Sequence, residues 1–242
     1  MPEILASGGW PKLSAIKLMF YGYAALGLLA AFLYRRLPRD HGDARPKAAL
    51  GPSRNIVYRL AALFSLDAFA GGFVVQSLLA LWLFQRFDLS LEAASVYFFC
   101  SSLLGAFSFP VAAWLARRIG LINTMVFTHI PSSLCLIAAA FSSSLTVVLS
   151  LLLVRSALSQ MDVPTRSSYV MAVVTPAERT AAASVTAVPR SLASSISPAI
   201  AGFMLAGPFS GLPLVVCGCL KIGYDLALLS MFQHTKPPEE IR

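Results

Sequence analysis

Apolar positions along the chain gather into seven long runs separated by short polar breaks, at 14–33, 56–84, 92–115, 121–141, 145–171, 181–206 and 212–232. Each holds about 20 or more mostly apolar residues, enough at 1.5 Å rise per residue to cross a hydrocarbon core of about 30 Å. The pattern predicts seven spanning helices. The first run is too long for the apolar core of a cleavable leader, and the "YRRLPRD" after it lacks a small-residue cleavage site, so a retained helix is expected there. Residues 34–55, rich in charge, Pro and Gly, read as a linker. It sets a segment 1–33 apart from a six-helix bundle at 56–232, with a polar tail at 233–242.

Composition agrees. The chain is 57% hydrophobic and 12% charged, against about 25% charged in soluble domains, which places it among integral membrane proteins. The four cysteines fall inside predicted spans with no C-x-x-C pair, as buried small hydrophobes do. No metal-ligand spacing can be assembled from them and the three histidines, and no cofactor is implied.

A net charge of +8 invites a nucleic-acid reading until the basic residues are placed. By alternation of sides, Arg35, Arg36, Arg39, Arg45, Lys47, Arg54, Arg59, Arg117, Arg118, Arg179, Lys236 and Arg242 fall together, opposed by Lys12, Lys17 and Arg86. The lysine and arginine excess marks the cytoplasmic face, so the amino terminus is expected outside and the carboxyl terminus inside a cell membrane. The lipid bilayer accounts for the charge, and no nucleic-acid partner is needed.

Seven charges remain inside the spans: Asp67, Arg155, Asp162, Arg166, Arg190, Lys221 and Asp225. Each costs about 2.5 to 3.5 kcal/mol at the centre of a spanning helix and is expected to face the bundle interior. On an ideal helix Arg155, Asp162 and Arg166 lie within roughly 20° of one another, with Ser159 and Tyr169 near the same line and Gln160 elsewhere. Pro164 is placed to kink or open that helix. Asp162 with Arg166, and Lys221 with Asp225, are spaced i and i+4 and are expected to neutralise each other as structural or gating charges. Arg155 has no such carboxylate, which makes it the stronger pathway candidate. In the sixth run Thr186, Arg190, Ser194 and Ser197 share a face. Asp67 and Gln76 stand on opposite faces of an ideal helix and meet one cavity only if Gly71 and Gly72 bend it. His129 reads as a packing residue.

The stretch "RSALSQMDVPTRSSYVMAVVTPAERTAAAS" resembles the carboxyl-terminal half of a major facilitator superfamily transporter. Its loop carries Pro176, Glu178 and Arg179 where that family has a P-x-x-R connection. Arg155 matches the arginine of an R-x-x-x-G pattern, with Ser159 in place of the glycine. The turn "AWLARRIGLIN" resembles the family's G-x-x-x-D-R-x-G-R-R cytoplasmic motif at Arg118 and Gly120, and departs from it at Ala113, Arg117, Leu121 and Ile122. The resemblance implies an all-α fold, one helix ahead of a six-helix half-bundle. It also implies a non-enzymatic secondary transporter that moves a small solute by alternating access. In that frame Asp67, Gln76, Arg155 and Arg190 face the solute pathway, with Asp67 a candidate proton-coupling carboxylate and an excess of cations that favours an anionic or zwitterionic solute. Lys221 and Asp225 would sit on a peripheral helix. An amino-terminal six-helix half is expected as a partner.

Two other readings stay open. The chain could be a half-bundle that acts only as a membrane subunit or fragment. Seven helices, an outside amino terminus and Lys221 on the last helix also fit a receptor or retinal protein, against the absence of D-R-Y and N-P-x-x-Y. Intramembrane hydrolysis lacks its signatures, since neither G-x-G-D nor G-x-S-x-G occurs.

Overall fold

The computed structural model describes residues 11–36 and 49–233. Most of the predicted linker, the tail, and Arg39, Arg45, Lys47, Lys236 and Arg242 lie outside the described residues. Two compact units are distinguished, Met1–Arg45 and Pro46–Arg242. The first contains one helix, α1 (Lys12–Arg36), which ends on Arg35 and Arg36.

In the second unit the elements in chain order are α2 (Arg54–Gly72), α3 (Gln76–Phe87), α4 (Leu91–Ile119), α5 (Leu121–Phe141), α6 (Leu145–Ser159), α7 (Asp162–Val173), a 3₁₀ turn (Pro176–Glu178), α8 (Arg179–Leu205) and α9 (Leu212–Phe232). All described regular structure is helical. Five segments are long and apolar enough to cross a membrane: the pair α2 with α3, α4, α5, the pair α6 with α7, and α9. The 27-residue α8 is not among them, because serines, threonines, Arg190 and two prolines dilute its apolar content.

Two predicted helices are broken, each for a reason visible in the residues. The second run stops at Gly72 and restarts at Gln76, with Phe73 and Val74 donating to Ala70 and Gly71 carbonyls in tightened turns. The fifth run stops at Ser159 and restarts at Asp162. Pro164 has no N–H for the carbonyl of Gln160 and its ring crowds that carbonyl, so the helix opens one turn before the proline. Pro164 then falls in the first turn of α7, where a missing N–H costs nothing.

Packing is tightest between α2 and α8, then between α5 and α9. Gly72 makes the first contact possible: a Cβ there would run into Ser197 Oγ and stand 3.0 Å from the Ser194 carbonyl. The connections show two ends of the bundle. At one, Arg54, Arg59, Arg117, Arg118 and Arg179 gather around the turn at Gly120 and the loop before α8. At the other, Arg86 donates to the Ser142 carbonyl at 3.3 Å and Phe141 stacks on Phe209 with ring centroids 5.5 Å apart. These five of the basic residues grouped by alternation thus share one end of the bundle.

Gly120 joins α4 to α5 with φ 88° and ψ 162°, a region open essentially to glycine alone. Gly120→Ala is expected to lower the unfolding free energy by about 1–3 kcal/mol, read as a shift in denaturant midpoint in micelles, while Gly71→Ala, where a Cβ meets nothing within 4 Å, should shift it far less.

Candidate functional site

The apolar residues form two separate clusters, and α5, α8 and α9 contribute to both. Val57, Leu60 and Phe64 of α2, Met125 of α5, Tyr169 of α7 and Leu228 of α9 belong to the cluster nearer the Arg-rich end. Val74, Trp82, Leu136, Leu152, Leu214 and Cys217 belong to the other. Between them, at one level, lie Asp67, His129, Arg155, Asp162, Arg166 and Lys221. A polar layer crosses the middle of the bundle.

Its buried part is one continuous chain of ion pairs and hydrogen bonds. Arg166 pairs with Asp162 on its own helix and, at 2.7 Å, with Asp67 of α2. The other Asp67 oxygen accepts from Lys221 Nζ at 2.7 Å. Lys221 also lies 3.2 Å from His129 Nε2, and His129 Nδ1 is 3.0 Å from Asp225 Oδ1. The ammonium can only donate, so Nε2 accepts and the Nδ1–H donates to Asp225. The Arg166 guanidinium also sits 5.1 Å from the Phe64 ring centroid, a cation–π contact that shields a desolvated charge.

This arrangement corrects several expectations. Asp162 and Arg166 do pair, but Arg166 also reaches across to Asp67. Lys221 and Asp225 do not pair with each other: Lys221 turns to Asp67 and Asp225 to His129. Neither is peripheral, since Asp225 is fully buried (0% exposed) and Lys221 stands at the centre of the layer. His129 is buried as expected of a packing residue, but it is the bridge between two charged groups. The α8 face divides: Thr186 and Ser194 return their hydroxyls to the Ala182 and Ser191 carbonyls and Ser197 is buried against α2, while Arg190 remains open.

Two adjoining chambers flank the layer. The larger, about 570 Å³, is lined by Asp67, Arg155, Asp162, Arg166, Arg190 and Lys221 among others. The second, about 440 Å³, is lined by Val74, Gln76, Tyr97, Phe98, Ser101 and Phe109 among others. Arg155, Ser159 and Gln160 border both. The break before Pro164 leaves Gln160 exposed on the border of both chambers. The break after Gly72 likewise puts Asp67 on one chamber and Gln76 on its neighbour. Among the described residues, the side chains of Arg155 and Arg190 make no ion pair or hydrogen bond with another residue.

The Arg-rich end carries the loop motif. Glu178 accepts from Ser53 Oγ at 2.7 Å, from Thr175 Oγ1 at 2.7 Å and from the Gly51 amide, tying the start of α2 to the loop before α8. Pro176 opens the 3₁₀ turn that presents Glu178, and Arg179 donates to the Met171 carbonyl at 3.2 Å. Arg118 lies over the Trp114 ring, 5.2 Å from its centroid. Donors from Ser53, Thr175 and Gly51 hold the Glu178 carboxyl at about 2, down from 4.5, because each hydrogen bond favours the ionised form. A depressed folded-state value means that this stabilisation is complete above pH 4.5 and is lost as pH falls toward 2. Glu178→Gln should therefore flatten the acid side of the stability profile, measured as the difference in unfolding midpoint from the unaltered chain across that window.

The family described as Major Facilitator Superfamily matches residues 4–198. No curated protein matches the chain.

Proposed function

The chain belongs to the major facilitator superfamily of membrane transporters, and from that premise we propose that it carries a small anionic solute together with a proton. One observation supports the anion: in a chamber whose other charges are paired, Arg155 and Arg190 have no counter-ion among the described residues. An unpaired cation in a partly desolvated chamber is an electrostatic deficit that a carboxylate or phosphate would satisfy.

Support for the proton comes from counting the buried cluster. Asp67, Asp162 and Asp225 face the permanent cations Arg166 and Lys221 and the histidine His129. The cluster is neutral only when it holds one proton beyond those of the two cations. A proton shared within this cluster alters how firmly Asp67 ties α2 to α7 and α9, which couples protonation to helix position. The Glu178 clamp, at the end we assign to the cytoplasm, would close and reopen as the bundle rocks. The exposed side of both chambers, bearing Gln76, Gln160 and Arg190, is where a second six-helix bundle would complete the cavity.

The test is reconstitution in proteoliposomes with a pH-sensitive dye inside and an imposed proton gradient, presenting anions, zwitterions, cations and neutral sugars one at a time. An anion or zwitterion should move protons in the unaltered chain and not in Arg155→Ala. A response restricted to cations or sugars, or one unchanged in Arg155→Ala and Asp67→Asn, would refute the reading.

A further inference from the structure

The two chambers differ in chemistry and meet at one residue. The larger one is ringed by charge. Among the described residues lining the smaller one, Arg155 is the single charged side chain; Tyr97, Phe98 and Phe109 of α4 with Val74 and Leu79 make an apolar wall, and Gln76, Gln160 and serines make a polar one. Serines add hydroxyls along one edge, and two of these are already used: Ser101 donates to Ser156 Oγ at 2.7 Å and Ser156 to the Leu152 carbonyl at 2.8 Å. A small inorganic anion would use the charged chamber and leave the aromatic one unfilled. A neutral sugar would leave the charge of Arg155 unmatched, and on the polar wall Ser101, Ser102 and Ser156 already donate within the protein, Ser102 to the Phe98 carbonyl at 2.8 Å. Sites that bind small organic molecules measure about 300–1,000 Å³, and each chamber falls in that range.

We propose that the pair of chambers receives an amphiphilic organic monoanion, its carboxylate at Arg155 and its aromatic or apolar body between Tyr97, Phe98 and Phe109. This rests on the anion reading above and narrows it to a substrate class. Arg155 thus serves as the head-group anchor at the junction, and α4 as the specificity wall. The break before Pro164 is what makes the junction, because it brings Ser159 and Gln160 to the border of both chambers, and Gly105 leaves room for Gln160, whose Cγ would stand 3.1 Å from a Cβ placed there.

The experiment is calorimetric titration of the chain in lipid nanodiscs, with empty nanodiscs as blank, using 3-phenylpropionate, its amide and propionate as probes. Burying the phenyl group should make 3-phenylpropionate bind at least about tenfold tighter than propionate, and the charge should set it at least about tenfold above the amide. Arg155→Gln should erase the preference for acid over amide. Phe98→Ala, which opens the wall, and Ser102→Trp, which fills the chamber, should both erase the preference for 3-phenylpropionate over propionate. Equal binding of propionate and 3-phenylpropionate would overturn the amphiphile assignment while leaving the anion reading intact. Equal binding of acid and amide would overturn the anion reading itself, and failure of all three probes to bind at millimolar concentration would overturn both.

Discussion

Asp67→Asn is expected to lower the stability of the bundle by about 3–5 kcal/mol, the usual cost of removing one partner from a buried ion pair. Among the described residues, Asp67 alone links Arg166 of α7 to Lys221 of α9, at 2.7 Å from each. Its loss leaves Lys221 with only the His129 ring and Arg166 with only Asp162, in a layer walled above and below by the two apolar clusters. The same reasoning predicts strong non-additivity. Lys221→Met alone strands an oxygen of Asp67, whereas the double variant Asp67→Asn with Lys221→Met removes a donor and an acceptor together and should be less destabilised than the sum of the singles, by about 1 kcal/mol or more. Equilibrium unfolding in micelles for the four members of the cycle measures this, and simple additivity would mean that the pair is not coupled.

Arginines on the same chamber are expected to respond in opposite ways. Arg166→Gln removes a guanidinium bonded to two carboxylates and should unfold the protein at markedly lower denaturant, by about 3 kcal/mol or more. Arg155→Gln removes an unpaired charge and should leave the midpoint unchanged or slightly raised, because no buried partner is orphaned. The functional readout inverts the order: anion-dependent proton movement should fall at least about tenfold in Arg155→Gln in protein that is fully folded. A stability loss in Arg155→Gln as large as that in Arg166→Gln would place Arg155 inside the structural network and remove it as the solute anchor.

Both expectations depend on a distinction that the sequence shows only in outline. Arg155, Arg166, Arg190 and Lys221 are equally anomalous as charges in apolar runs. Spacing along one helix separates Arg155, without a nearby carboxylate, from Arg166, with Asp162 four residues before it. That logic found the Asp162 pair and failed for Lys221 and Asp225, since i,i+4 proximity makes a pair available without making it the best one. Asp67 lies on another helix, 154 residues from Lys221, and helix packing brings it closer to the ammonium than Asp225 comes. His129 carried no signal at all, as a single histidine in an apolar run resembles any hydrogen-bonded packing residue until its neighbours are known.

The sequence by itself determined the helical runs and their order and which charges fall inside them, because hydrophobic period and helix rise are local properties. It also located both helix breaks, at Gly71 and Gly72 and at Pro164, without fixing what they would do. Tertiary structure alone decided the partners across helices: Asp67 for both Arg166 and Lys221, and His129 for Asp225. Such partners are chosen by distance across packed helices, so spacing along one helix could single out Arg155 but could not show which carboxylate Lys221 would meet.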